Sequence, residues 1–289
     1  GDRGGPFLSP LLCFAAPGLY LGWAIRRVRR PARRDLPGLR HPERAGRAVL
    51  WPMRRPARGG ADTIRRDGSK DPSIRPNALV LLLTDAADDP HKTRSVLERI
   101  EQEDMTTSWG VRTLSNLDPK YHPALYHDGA VWPLVTGWAA LAEIKAGRSE
   151  QALYYVNCMA ERILAENGMF AETYKGDKPD PFNSCILQAW SISMYIYALR
   201  EMMLGMKLDM LQNKVYLNPQ VEGSLLPDYG DFAFEHSIKG KGRFQAAVDP
   251  YNRKILVTLK GWQGARPEFL VDSSSYDIDV VATTTTTAA

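Results

Sequence analysis

Cysteine is scarce in this chain of 289 residues, and its pattern excludes two classes of site. Only three cysteines occur, Cys13, Cys158 and Cys185. Their number is odd and their spacing is unlike that of zinc ligands, so we expect neither a disulfide framework nor a metal centre. The histidines supply no metal-binding constellation either. The sequence therefore predicts a protein of a reducing compartment, the cytoplasm, that needs no cofactor.

Lysine is almost missing from the first 70 residues, which contain 15 Arg, 1 Lys and 5 acidic residues. The remaining residues, 71–289, carry 21 basic and 28 acidic side chains, so the net charge of +4 is the sum of two unlike parts. Arms that bind nucleic acid or acidic membranes usually mix Lys with Arg and interleave aromatic residues. We therefore predict no nucleic-acid partner for residues 1–70.

A long uninterrupted hydrophobic run is also lacking. Residues 7–25 are apolar and are followed by a cluster of arginines, but Pro10, Pro17, Gly18 and Gly22 interrupt them. The segment lacks the basic start and the cleavage site of a secretory signal. We expect no membrane association, and we interpret residues 1–70 as a basic extension that is disordered or non-native.

Helical periodicity begins after residue 71, with polar loops between the helices. The pattern predicts helices over residues 89–103, 131–146, 149–167 and 185–204, and a short apolar segment over 76–84. Asp88, Asp89 and Pro90 are expected to start the first of these helices. Ser149 is expected to cap the third, and Gly168 and Gly205 to end the last two. Residues 105–129 and 168–184 are unusually long connections, which in compact folds are usually functional.

The periodicity changes to two after residue 205. Alternating apolar residues predict strands near 232–238 and 255–259, with hairpin turns at 240–242 and 249–252. The expected domains are thus the extension 1–70, a helical region 71–205, a small antiparallel β-sheet region 206–272, and a disordered, low-complexity tail 273–289.

Four motifs occur in order within this chain: Ser73–Asn77 (SIRPN), Gly110–Ser115 (GVRTLS), Tyr126–Pro133 (YHDGAVWP) and Cys185–Ser191 (CILQAWS). Together they resemble the C-terminal glucosidase domain of glycogen debranching enzymes, over about residues 73–205. The resemblance implies a mainly α fold, an (α/α)6 toroid of the six-hairpin glycosidase superfamily. It also implies hydrolysis of α-1,6-linked glucose branches in glycogen or a related branched α-glucan. About five helices are present, so the chain is expected to hold the C-terminal half of that toroid.

Glycoside hydrolysis uses two carboxyl groups. In the resembled family, which is inverting, the general base is a Glu in a loop shortly before the Gln-Ala-Trp helix, and Glu172 stands at that place. The family's general acid is an Asp that follows a Trp-Met pair, and no Trp-Met-Asp occurs in this sequence. We therefore expect the activity of the intact parent protein and a weak or absent activity in this chain.

Five residues are candidates for substrate binding: Arg75, Asn77, His127, Asp128 and Trp132. Polar side chains at a helix entrance suit the recognition of sugar hydroxyls, and an aromatic ring suits stacking. Plainer roles stay open, because Asn77 also suits a helix start, Asp128 a cap and His127 packing.

Trp190 is expected in the core, since an aromatic residue at the start of an apolar helix is usually buried. Two other functions remain possible for the chain. One is a glycosidase of the same superfamily that resembles glucoamylase or trehalase, and the other is a non-catalytic fragment that binds α-glucan.

Overall fold

A computed structural model describes residues 66–84, 87, 89–182, 184–221, 232–271 and 276–283. Most of the predicted basic extension, up to residue 65, lies outside the described residues. The described part contains five helices: α1 (Ala78–Leu82), α2 (Pro90–Ile100), α3 (Pro133–Lys145), α4 (Ser149–Ala165) and α5 (Ala189–Leu204).

The strands of the described part form three sheets. β1 (Thr106–Thr107) pairs with β2 (Gly110–Val111). A three-stranded sheet has the order β3 (Lys207–Asp209), β4 (Lys214–Tyr216) and β8 (Glu268–Leu270). A four-stranded sheet has the order β5 (Phe232–Ile238), β6 (Gly242–Asp249), β7 (Lys254–Lys260) and β9 (Asp277–Thr283).

Helix α3 is the centre of the helical region and packs against both α4 and α5. Trp132 is its N-cap residue and Pro133 its first helical residue, a favoured place for proline because the missing N–H would have no partner there. Gly137 lets α5 approach closely, since a Cβ at this position would lie 2.8 Å from the Cβ of Met194. The start of α3, which carries Trp132, is therefore fixed by packing on two sides.

One continuous core includes both the helices and the C-terminal strands. The segment after β4 runs beside the end of α5, where the N–H of Asn218 donates to the carbonyl of Leu204 (3.0 Å). Phe244 of β6 and Phe269 of β8 are in edge contact, with ring centroids 5.3 Å apart. Both sheets are thereby attached to the C-terminal end of α5.

Helix ends were predicted well where a side chain or a glycine defines them. Asp89 caps α2 by accepting hydrogen bonds from the N–H groups of His91 and Lys92. Gly205 ends α5 in the left-handed conformation, with φ 53°. The prediction for Ser149 is wrong, because Arg148 is the N-cap residue and Ser149 is already helical.

The predicted start of the last helix is also wrong. Residues 185–188 are not helical, and Leu187 instead forms a parallel bridge with Phe170. The backbone N–H of Gln188 donates to the carbonyl of Phe170 (2.9 Å), so this segment pairs across to the preceding loop before α5 begins at Ala189.

The C-terminal region departs from the expected antiparallel sheet. Both larger sheets are mixed, because β4 pairs with β8 and β7 pairs with β9 in parallel. The predicted tail, 273–289, is wrong for Asp277–Thr283, which is strand β9. A mainly helical protein is not confirmed either, since nine strands accompany the five helices of the described part.

Candidate functional site

Two long loops meet at Val131, just before helix α3. Val131 and Tyr174 exchange two backbone hydrogen bonds of 2.9 Å each. Val131 also forms a bridge with Arg112 on its other side. Residues 105–131 and 168–188 are therefore joined like strands of a small sheet, although they are far apart along the chain.

Further contacts hold the two loops together. The buried guanidinium of Arg112 donates from Nε to the carbonyl of Gly176 (2.8 Å) and from one terminal nitrogen to the carbonyl of Glu103 (2.8 Å). The indole N–H of Trp109 donates to the carbonyl of Lys175 (3.0 Å). These bonds make the loops a rigid platform for the side chains that they carry.

Glu172 and Tyr126 meet across this platform. The phenolic O–H of Tyr126 donates to Oε1 of Glu172 over 2.5 Å. The backbone of Glu172 is itself fixed, since its N–H donates to the carbonyl of Cys185 (2.8 Å). Desolvation, followed by the hydrogen bond and the negative charge of Glu172, raises the pKa of Tyr126 to about 12. Tyr126 therefore remains a proton donor to Glu172 throughout the neutral range.

Aromatic rings surround Tyr126. Its ring lies edge-on to Trp132, with a centroid distance of 4.5 Å, and edge-on to His127, at 4.8 Å. Trp132 lies between two nearly parallel rings: His127 at 5.6 Å and 22°, and Trp190 at 6.3 Å and 23°. We call Tyr126, His127, Trp132 and Trp190 the aromatic cluster.

The middle ring of the cluster is buried and the outer rings are exposed. Trp132 retains 8% of its surface, and its N–H donates to the carbonyl of Tyr126 (2.9 Å). Trp190 is 42% exposed, so the expectation that it belongs to the core is wrong. Trp190 is the second residue of α5, and its ring stacks on Trp132 at the start of α3.

Arg75 and Asp128 form an ion pair of 2.5 Å at the edge of the site. Arg75 also donates to the carbonyl oxygen of His127 (2.7 Å), so one guanidinium binds two successive residues of the turn. Asp128 does not cap α3, because the N-cap residue is Trp132. The pair therefore fixes the turn that carries Tyr126 and His127.

The predicted site residues thus fall into two groups. Tyr126 contacts three of them, Glu172, His127 and Trp132. Two others, Arg75 and Asp128, bind each other and hold the turn at His127. Asn77 is exposed and is the N-cap residue of α1, without a side-chain hydrogen bond to the helix N–H groups. Its part in substrate binding stays a prediction.

Sequence reasoning missed the role of Tyr126, although the residue opens one of the four motifs. A tyrosine followed by His-Asp-Gly gave no sign that its hydroxyl would reach a carboxylate 46 positions later. The signal that could have found it is the need of a loop carboxylate for a hydrogen-bond donor that holds its orientation.

The described part of the chain contains no group of three or more metal-ligating side chains. It contains no helix long and apolar enough to span a membrane. Two surface depressions lie elsewhere, one of them between α1, α3 and α5, and neither is lined by Glu172 or by the aromatic cluster. The chemistry of the cluster and of Glu172 therefore identifies them as the candidate site.

Comparison with known proteins bears on the family and the fold. The family model "Amylo-alpha-1,6-glucosidase" matches residues 55–197, just under half of the chain and including every candidate site residue. No curated protein sequence matches the chain. The fold is similar to the crystal structure of a GH78 family rhamnosidase of Bacillus sp. GL1, with a TM-score of 0.51 and 15% identity.

That match covers 81% of this chain and 22% of the rhamnosidase. At this identity it shows a common fold only. This chain therefore spans a small part of the length of the rhamnosidase. The two comparisons thus relate this chain to proteins named as glycosidases, a glucosidase family and a rhamnosidase.

Proposed function

We propose that this chain carries part of a site that hydrolyses α-1,6-linked glucose branches of glycogen or a related α-glucan. The match of residues 55–197 to the amylo-alpha-1,6-glucosidase family model supports this proposal. In this proposal the five helices are one arc of an (α/α)6 toroid. The similarity of fold to the rhamnosidase supports that arrangement. The compartment is the cytoplasm, and no cofactor or metal takes part.

Glu172 is the general base of the proposed reaction. The observation that carries this assignment is the hydrogen bond from Tyr126 to Oε1, at the edge of an aromatic cluster suited to sugar rings. Among the described residues no other hydrogen bond reaches the carboxylate of Glu172. Oε2 is thus left to orient a water molecule, as an inverting mechanism requires.

Tyr126 positions this base and prevents its rotation. A charge-assisted O–H···O bond of 2.5 Å is of the strong kind. Because the pKa of Tyr126 is raised to about 12, its hydroxyl keeps its proton and donates a hydrogen bond to the carboxylate of Glu172. The arrangement supplies an oriented carboxylate, the group with which a general base accepts a proton from water.

The remaining candidate residues serve binding and support. Trp132, buried between His127 and Trp190, holds the rings parallel. Arg75 and Asp128 hold the turn, and the exposed His127 and Asn77 face substrate hydroxyls. The family's general acid has no counterpart in this sequence, which contains no Trp-Met-Asp.

The missing acid favours a second candidate function, the binding of α-glucan without hydrolysis. General acid catalysis contributes about 10²- to 10⁴-fold, so hydrolysis of an unactivated glucan should fall by that order without it. A substrate whose leaving group needs no proton avoids this loss. α-Glucosyl fluoride is such a substrate, because fluoride departs without protonation.

The test is therefore fluoride release from α-glucosyl fluoride, measured beside glucose release from a branched limit dextrin. We expect release of fluoride with β-glucose as the first product, and release of glucose that is at least about a hundredfold slower. Glu172→Gln should abolish both activities, whereas Glu161→Gln, an exposed glutamate on α4, should change neither. Binding of glycogen without either activity would support the second function and contradict the first.

A further inference from the structure

Helix α5 exposes an unusual surface for a water-facing helix. Its solvent side consists of Ala189, Trp190, Ser193, Ile196 and Tyr197, all exposed and none of them charged. Large exposed apolar residues in a contiguous array generally mark a binding surface. Trp190, near the N-terminal end of this array, belongs to the aromatic cluster, and Tyr197, at the other end, does not.

Trp190 is the outermost ring of a nearly parallel stack. One side of its indole faces Trp132 at a centroid distance of 6.3 Å and an angle of 23°. Trp190 is 42% exposed, so a large part of its indole remains open to solvent beside this contact. Trp132 is 8% exposed, so it cannot offer a face to a ligand and acts as the support of Trp190.

The stack connects Trp190 with Glu172 through only two intervening side chains. Trp132 contacts the ring of Tyr126 at 4.5 Å, and the hydroxyl of Tyr126 binds Glu172. If the reacting sugar of a polymer lies at Glu172, a neighbouring sugar of the same polymer would lie over the indole of Trp190. A rigid, supported indole suits that task because little side-chain entropy is lost when a ligand binds to it.

We propose that the exposed face of Trp190 is a binding subsite that stacks against the C–H face of a glucose ring in the α-glucan chain next to the cleaved residue. The chemical class of this ligand rests on the function proposed above. The pyranose C–H groups and the indole face are both apolar, and the ring hydroxyls remain in water. Contacts of this kind explain why a large aromatic residue is left exposed at this place.

The test measures binding of maltotetraose by calorimetry and of glycogen by affinity electrophoresis, with the full chain. Trp190→Ala should weaken both about tenfold or more, which corresponds to about 1.4 kcal/mol. Trp190→Phe, which keeps an aromatic face, should retain most of the affinity. The matched control is Tyr197→Ala, because Tyr197 lies two turns further along the same side of α5 and is 45% exposed. Thermal unfolding of each variant checks that the fold is intact.

Two results would overturn the subsite. Equal binding by Trp190→Ala and the unchanged chain would show that the ring does not touch the glucan. An equal loss in Tyr197→Ala would show that the effect is not specific to the ring of Trp190 and is indirect. Glu172-dependent fluoride release is measured in the same variants, so that a failure of the Trp190 subsite can be distinguished from a failure of the proposed function. If that activity persists while Trp190→Ala binds normally, only the subsite is wrong.

Discussion

Raising the pH from about 6 to about 8 should destabilise the folded protein through Glu143, near the end of α3. This glutamate is 1% exposed and lies 3.3 Å from Nε of Arg148. The same guanidinium makes a closer contact, 2.5 Å, with Glu101. One positive charge thus faces two carboxyl groups, and the pair retains a proton to avoid an uncompensated buried charge.

The magnitude follows from the shift. Burial, opposed by Arg148 and reinforced by Glu101, raises the pKa of Glu143 from 4.5 to about 8. The pKa of Glu101 is also raised, chiefly by burial. Because the folded state holds the proton more tightly than the unfolded state, this stabilisation is complete below the unfolded value and is lost as the pH rises through the folded value. Two pH units within that window correspond to roughly 2 kcal/mol of unfolding free energy.

The assay is urea unfolding of the unchanged chain and of Glu143→Gln at both pH values. The glutamine keeps the shape of the protonated acid, so the variant should lose the steep fall and become the more stable protein at the higher pH. Glu161→Gln, an exposed change on α4, is the control. Burial lowers the pKa of His236, so the contribution of His236 to stability increases with pH, opposite to that of Glu143. The test therefore compares the pH dependence of the unfolding free energy in the unchanged chain with that in Glu143→Gln. A pH slope equal in the chain and in Glu143→Gln would refute the reasoning.

Three further predictions concern the site. Tyr126→Phe should lower Glu172-dependent fluoride release at least about tenfold, because one charge-assisted hydrogen bond is worth about 1.5–3 kcal/mol, while maltotetraose binding changes little; a large loss of binding would contradict a positioning role. Asp128→Asn should weaken the binding of Arg75 to the turn and lower the unfolding free energy by about 1 kcal/mol, which a modest fall in melting temperature would show. An unchanged melting temperature would show that the ion pair does not stabilise the fold. Gly129→Ala should destabilise by roughly 2 kcal/mol or more, since φ is 151° and the added Cβ would lie 2.3 Å from the carbonyl oxygen of His122; normal urea unfolding of this variant would refute the close approach.

Local signals in the sequence predicted the helix ends that side chains define. Asp89 with Pro90 marked the start of α2, and Gly205 marked the end of α5, because each of these residues satisfies a terminal backbone requirement by itself. Residues 185–188 look helical by hydropathy alone, but their backbone pairs with the loop at Phe170. Such pairing over a distance leaves no periodic signal in the sequence.

The same limit applies to the site. The motifs indicated Glu172 and the turn at His127, but the bridge between Val131 and Tyr174 that brings them together is non-local. Trp190 was expected in the core because α5 is apolar on nearly all sides, and such a pattern cannot tell which side faces water. The parallel pairing of β7 with β9 escaped prediction for a similar reason, since register between distant strands is set by tertiary packing.

The central claim, that Glu172 acts as the base of an α-glucan hydrolase site, is tested most directly by fluoride release from α-glucosyl fluoride in the unchanged chain and in Glu172→Gln. The account predicts measurable release with β-glucose as the first product, and a loss of at least about a hundredfold in the variant. Equal rates in the two proteins, or no release by the unchanged chain, would contradict it.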